Sequence, residues 1–263
     1  MDVRSHNRMA WNQSVDEGNR WTQPVSTDAV NEARSGKFEI VLTPTKPVPA
    51  EWFPELNGIP TLCLASAGGQ QAPLLAAAGA NVTVFDNSPR QLEQDRLVAQ
   101  RDGLELELVE GDMADLSLFP DDTFGLIFHP CSNCFVPNVI PVWKGCHRVL
   151  RPGGVLLAGF TNAVRYLFDD ERKENGNLEV RYSLPYSDLD YLNEAHVQRV
   201  FESGQAIEFG HTLEDQIGGQ LSAGLFLTGL YEDRYAETDN DPLSRYMATF
   251  IATRAVKRGR SEA

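Results

Sequence analysis

Positively charged side chains are scarce in this chain. Its 263 residues carry 23 Lys and Arg against 37 Asp and Glu, a formal net charge of −14. Such a surface repels a phosphate backbone unless a basic patch intervenes. The one short basic run is KRGR at 257–260, so nucleic acid is not expected as a partner. Long apolar runs are missing too. Nothing approaches the ~18 residues of a membrane-spanning helix, and the opening MDVRSHNRMAWNQ holds no apolar core of the kind an export signal needs. The expectation is a cytoplasmic protein without a membrane partner. Cysteines number four, at 63, 131, 134 and 146, too few and too clustered for a secreted disulfide framework, so reduced thiols are expected. Internal repeats, low-complexity segments and the G-x-G-x-x-G run of a dinucleotide site are all absent. What is present, 42% hydrophobic residues over this length, suffices for a full core in one domain with extensions. No pattern assigns an oligomeric state.

From residue 61 onward short apolar runs alternate with helical patterns: TLCLAS, a helix through 70–79, VTVFD, a charged helix over 88–101, LELELVEGD, then FGLIFH. A helix with Pro137 near its first turn comes next. RPGG stops it, and VLLAGF makes a fifth strand. Strands separated by helices predict a doubly wound, Rossmann-like α/β sheet, mostly parallel, over 61–161. Ahead of it, 1–60 is an N-terminal extension whose stretch TPTKPVPAEWFPELNGIP carries five prolines, expected to wrap on the surface. Residues 162–211 form a lid-like insertion, with LEVRYSL and QAIEFGH able to pair as a ribbon. The stretch 212–256 completes the sheet with a helix through LEDQIGGQLSAG, a strand LFLTGLYED and an antiparallel last strand in MATFIATRAVK at the sheet edge; 257–263 is a tail.

The chemistry concentrates between LCLASAGGQQ and the third strand's end. In an open α/β sheet, ligands bind beyond the carboxyl ends of the strands, and the turn after the first strand needs small side chains so that its backbone can approach the ligand. Ala65, Ala67, Gly68 and Gly69 supply that bareness, with Gln70 next. Asp86 ends the second apolar run at the spacing of roughly 20 residues where a carboxylate takes the two hydroxyls of a ribose. A nucleoside cofactor is implied. After the third strand, Asp112 offers an acceptor to an adenine amino group and Met113 an apolar contact to its ring.

LCLASAGGQ, VFDNSPRQL, VEGDMADLSLF, FGLIFHPCSNCFV and CHRVLRPGGVLLAGF, in this order, resemble the successive cofactor motifs of class I S-adenosylmethionine-dependent methyltransferases. The ubiquinone and menaquinone methyltransferase-like group of small-molecule enzymes is the most similar. The resemblance implies S-adenosyl-L-methionine as cofactor and a small-molecule acceptor. It places Ala65 to Gln70 at the methionine part and Asp86 at the ribose, with Asn87, Ser88 and Gln91 around it. Asp112 and Met113 then face the adenine, and His129 stands at the mouth of the site. His129 and His211 are the candidate bases for an acceptor hydroxyl or thiol. The chain departs from the family where Cys63 replaces an acidic residue, Ala65 and Ala67 replace glycines, and Gly125 replaces Asp. Ala67 is expected to carry the tight turn, at a cost if its φ is positive.

Other readings stay open beside this one: a nicotinamide-dependent oxidoreductase, or a protein that binds S-adenosylmethionine without turnover. Cys131 and Cys134 with His129 suggest zinc, but one C-x-x-C without a second pair carries no metal assignment. A thiol redox site would need the helix dipole, which a start near Pro137 puts out of reach. Trp11, Trp21, Tyr182, Tyr186 and Tyr191 are either packing or an aromatic lid over the acceptor. Thr212 is a candidate N-cap beside His211.

Overall fold

The apolar runs become strands and the patterned segments between them helices in the structure, a computed structural model that describes residues 2–169, 176–191 and 204–259. Helices α1 (Val3–Asp16) and α2 (Thr27–Arg34) come first. The core then runs β1 (Pro60–Leu64), α3 (Gln71–Ala77), β2 (Asn81–Asp86), α4 (Pro89–Asp102), β3 (Leu106–Glu110), β4 (Phe124–His129), α5 (Ile140–Val149) and β5 (Leu150–Thr161). Two-residue strands β6 (Tyr186–Ser187) and β7 (Phe209–Gly210) pair as a small antiparallel ribbon. Strands β8 (Leu225–Asp233) and β9 (Phe250–Lys257) complete a seven-stranded sheet in the order β3-β2-β1-β4-β5-β9-β8.

Local chemistry explains the core elements. Every residue of β4, FGLIFH, is buried, as in a central strand covered on both faces. Its side chains alternate between two cores. Leu126 and Phe128 join Cys63, Val82 and Val84 under residues of α2, α3 and α4, while Ile127 joins Leu62 and Leu64 against Val142, Trp143 and Cys146 of α5. Helix α4 starts where Ser88 Oγ accepts from the Gln91 amide (3.1 Å), with Pro89 in its first turn. Strand order reverses at β1, flanked by β2 on one side and β4 on the other, so the crossovers diverge and leave a crevice over the carboxyl ends of these strands.

Several expectations need correction. Helix α5 begins at Ile140, with Pro141 in its first turn, and Asn133–Phe135 form a separate 3-10 turn, so Pro137 lies between the two. RPGG does not stand outside the strand. It bulges within β5, whose pairing with β4 shifts register between Phe124 and Leu126. The last strand is antiparallel but not at the edge: β9 lies between β5 and β8, and β8 takes the edge. Of the expected ribbon, the QAIEFGH half pairs through Phe209 and Gly210, but with Tyr186 and Ser187; LEVRYSL contributes a single bridge, Val180 to Phe168. The proline-rich lead-in does more than wrap the surface. Leu42, Val48 and Trp52 are buried, and the Leu42 carbonyl fills the space where a Cβ on Gly159 of β5 would stand. The six residues 170–175, the stretch 192–203 and the tail from 260 lie outside the described residues, as does the side chain of Tyr191.

Gly111, just after β3, sits with its Cα against the ring of Phe85. An added Cβ would stand 2.0 Å from Phe85 Cζ, and that ring is already packed edge-on against Phe119. Gly111→Ala is therefore expected to destabilise the fold by about 1–3 kcal/mol through overpacking, read as a lowered urea midpoint with an unchanged slope.

Candidate active site

A cavity of about 1340 Å3 opens over the strand ends. Its wall includes Ala65, Ser66 and Ala67 after β1, Phe85, Asp86 and Asn87 at the end of β2, Asp112 and Met113 after β3, and Cys131 and Ser132 after β4. Gln70 and Gln91 also reach it. The other side comes from α1 (Arg4, Asn7, Trp11), from Trp21 and from Tyr166, Tyr182, Tyr186 and Tyr235.

The loop after β1 has two faces. Ala65, Ser66 and Ala67 turn to the cavity. Gly68 and Gly69, expected there too, are not on its wall: a Cβ on Gly68 would meet Gln91 Oε1 at 2.7 Å and the Trp21 carbonyl at 3.0 Å, and one on Gly69 the Gln94 carbonyl at 2.9 Å. Their bareness serves the approach of α4 and the N-terminal segment. Both have positive φ, 114° and 72°, which glycine alone adopts without strain. The one other positive φ in the loop belongs to Ala65, at 46°, and not to Ala67. Strain attributed to Ala67 therefore sits two residues earlier.

Two carboxylates hold this loop. Asp86 Oδ2 accepts from the Ala67 amide (3.2 Å) and Oδ1 from the Ser88 amide (2.9 Å). Burial pushes its carboxyl up to about 6, opposed by those amides. Asp95 of α4 is fully buried, and its Oδ2 accepts from the Gly68 amide (2.9 Å). Burial pushes Asp95 up to about 8, with the neighbouring charge of Asp86 adding to the rise against the pull of the Gly68 and Gly69 amides. Nothing in the sequence pattern singled out Asp95. The signal available was an acidic residue one turn after Gln91 and Leu92, on the helix face that turns inward.

Other expected site residues are committed elsewhere. Ser88 is off the cavity wall; its Oγ caps α4 and donates to Asn12 Oδ1 (2.8 Å). Asn87 lines the cavity and is tied to α1, donating to the Arg4 carbonyl (2.9 Å) and accepting from Arg4 Nε (3.2 Å). The same Nε lies 3.9 Å from Asp112, whose other oxygen accepts from the Ala114 amide (2.9 Å). Gln70 donates to the carbonyls of Arg20 (2.9 Å) and Gln23 (3.1 Å).

Neither histidine reaches the cavity. His129 is fully buried: Nδ1–H donates to the Leu64 carbonyl (2.8 Å), and Nε2 lies 2.7 Å from Asn133 Oδ1. Burial pushes its pKa down, against the opposing pull of the hydrogen bonds to the Leu64 carbonyl and Asn133. His211 Nε2–H is shared between the carbonyls of Asn133 (3.1 Å) and Val136 (2.9 Å), and burial lowers its pKa too. Both rings brace the segment after β4, so His129 does not stand at the mouth of the site and neither histidine faces the cavity as the expected base. Thr212 Oγ1 does accept from the Asp215 amide (3.1 Å), as an N-cap does. Cys131 and Cys134 line the cavity with thiols raised by burial.

Residues 62–158 match the family model described as a methyltransferase domain. A protein of Bacillus subtilis (strain 168), named as the uncharacterized methyltransferase YbaJ, is 49% identical over 253 residues, which is 96% of this chain and 98% of that protein. The chain belongs to this methyltransferase family. Sterol 24-C-methyltransferase ERG6A of Gibberella zeae is 30% identical over 126 residues, but these are 46% of this chain and only 31% of that enzyme. In fold, the methyltransferase is similar to the S-adenosylmethionine-dependent methyltransferase of Mesorhizobium loti: TM-score 0.61, 16% identity, 78% of this chain and 94% of that one. The family's methyl donor is S-adenosylmethionine, which sets the nicotinamide reading aside.

The wall suits that donor. Its polar groups include the carboxyls of Asp86 and Asp112 and the side chain of Asn87, acceptors for hydroxyl and amino groups of a nucleoside. The loop also presents two alanines and one serine to the cavity, leaving its backbone open to close approach.

The loop's geometry and its carboxylates each carry an expected outcome. Ala65→Gly relieves an αL alanine and is expected to raise stability by up to about 1 kcal/mol, whereas Ala67→Gly is neutral or destabilising; urea denaturation of both variants separates them. Asp86 and Asp95 also make stability depend on pH. Above the unfolded carboxyl value of ~4, the folded methyltransferase keeps protons that the unfolded chain has released, so stability falls as pH rises to about 6 for Asp86 and about 8 for Asp95. Asp95→Asn removes the upper part of that window. Between pH 6 and 8.5 the variant is expected to lose less stability than the wild type, by on the order of 1–2 kcal/mol.

Proposed function

We propose that this methyltransferase transfers the methyl group of S-adenosylmethionine to a small-molecule acceptor, both held in the one cavity. The observation that carries this reading is the cavity's extent. At about 1340 Å3 it exceeds the roughly 300–1,000 Å3 of a typical single-ligand pocket, and it continues from the strand ends to a compartment walled by tyrosines. Asp86 would hold the ribose hydroxyls with the lone pairs its amide bonds leave unused. Ala65, Ser66, Ala67 and Gln70 would face the methionine part, and Asp112 and Met113 the adenine, with Gln91 and Asn87 beside the ribose. The acceptor would lie between α1 and the described part of the 162–211 insertion, where Tyr166, Tyr182 and Tyr186 would cover it together with Trp11 and Trp21.

When bound, the donor supplies an activated methyl on a sulfonium that leaves readily. What the chain adds is alignment and the exclusion of water. Neither His129 nor His211 lines the cavity, so neither is placed to take a proton from the acceptor. The aromatic walls orient the acceptor, Tyr166 and Tyr186 stacking at 5.3 Å between ring centroids and Trp11 meeting Phe135 edge-on at 5.2 Å.

Calorimetry with S-adenosylhomocysteine is expected to show saturable binding. Asp86→Ala should weaken it about ten- to a hundredfold, because a buried charge-assisted hydrogen bond loses its acceptor. Normal affinity in that variant would remove Asp86 from the ribose site. An acceptor screen with labelled donor tests turnover itself: transfer to macromolecules alone would overturn the small-molecule reading, and a chain that binds donor but methylates nothing would leave a binding protein.

A further inference from the structure

We propose that Asp95 is a positioning residue for the methyl donor: it holds the loop after β1 from behind and, when ionised, places negative charge there, so that the cationic donor is favoured over its uncharged-sulfur product. This inference rests on the placement of the donor's methionine part against Ala65–Ala67.

Asp95 makes little sense as packing. It is 0% exposed on α4, where an apolar side chain of similar size would avoid the cost of burying a carboxyl group. Only half of it is satisfied: Oδ2 accepts from the Gly68 amide, and Oδ1, equally buried, has no hydrogen-bond partner among the described residues. Oδ2 takes the amide next to the one held by Asp86, so consecutive amides of one loop meet two carboxylates on different elements, with the Gly68 amide shared with the Gln91 carbonyl (3.2 Å). Helix α4 presses on the same loop through Gln91 and the Gln94 carbonyl, leaving Gly68 and Gly69 no room for a Cβ. The grip is therefore built as a unit.

The groups that face Asp95 are acidic. Asp86 approaches from the end of β2 and the Cys63 thiol from β1, and no ion pair among the described residues involves Asp95. A region with two buried carboxyls and no cation in contact is poised for a positive ligand. The donor carries a sulfonium and the product a neutral thioether, so negative charge behind the loop discriminates between them. It does so only while Asp95 is ionised, which its elevated pKa of about 8 confines to the alkaline side.

Two measurements test this. In the wild-type protein without ligand, the Gly68 amide resonance reports its acceptor and is expected to titrate with a midpoint near pH 8. S-adenosylmethionine should lower that midpoint more than S-adenosylhomocysteine does. In the second, the ratio of affinities for the two ligands is measured by calorimetry at pH 6 and pH 9 in the wild type and in Asp95→Asn. The Asn side chain keeps an acceptor for Gly68 but no charge. The two proteins should agree at pH 6, where both side chains are neutral. At pH 9 the variant should lose about three- to tenfold of the preference for the donor. Titration of the ligand's own amino group cancels, because both proteins meet the same ligand at each pH. A Gly68 resonance that does not move between pH 6 and 9, or equal ratios in both proteins at pH 9, overturns the role of Asp95 and leaves the methyltransferase reading intact. A wild type that binds neither ligand overturns both. The resonance experiment needs no variant, so a misfolded Asp95→Asn does not rescue the idea.

Discussion

The amides of Ala67 and Gly68 have no partner within the sheet; Gly68 shares its N–H between Asp95 and the Gln91 carbonyl of α4 (3.2 Å), and the site depends on the two carboxylates that hold this pair. A buried N–H must find an acceptor, and here Asp86 and Asp95 reach the loop from opposite sides. This pair joins the end of β2 to the second turn of α4 and fixes the loop between them. The cavity-facing side, Ala65 to Ala67, is free for a ligand because the other side, Gly68 and Gly69, is filled by α4 and by the segment around Trp21 and Pro24.

A second set of polar bonds holds the opposite wall. His129, Asn133 and His211 tie the turn after β4 to the Leu64 carbonyl and to the Val136 carbonyl, and Asn133 continues to Gln216 (3.1 Å). These rings are buried off the cavity and hydrogen-bonded to its supports, so they stiffen it and are not placed to take a proton from an acceptor. Stiff walls suit a reaction whose demand on the protein is alignment. Helix α1 closes another side: Arg4 meets Asn87 and Asp112 at the β2 and β3 ends, Asn12 accepts from Ser88 Oγ, and buried Asn7 exchanges hydrogen bonds with the Ile207 main chain.

Much of the fold was legible in the sequence, because periodicity reports burial directly. FGLIFH is apolar throughout since both its faces are covered, and Ser88-Pro89 announces a helix start through chemistry confined to one turn. The family, the donor and the position of Asp86 were legible for the same reason: the motifs lie at strand ends, where spacing along the chain maps onto spacing in the sheet. The misreadings share a cause as well. RPGG does follow the end of α5 at Val149 but belongs to β5, because a bulge within a strand uses the same residues as a turn, and Pro137 looks like a helix start because a short 3-10 turn precedes the real one.

The sequence by itself determined the order of strands and helices, the open crevice at their carboxyl ends, and the carboxylate at the end of the second strand, since each comes from local pattern and short-range connection rules. Only the tertiary structure decided which side chains face the crevice. His129 occupies the strand end where a base would stand, yet its ring turns to the Leu64 carbonyl. Gly68 and Gly69 are bare for the sake of α4. Asp95 is an ordinary acidic residue in a charged helix until that helix lies against the loop. Orientation about a strand end and pairing across elements depend on what packs there, and packing between residues 27 or 65 positions apart leaves no mark in the local pattern.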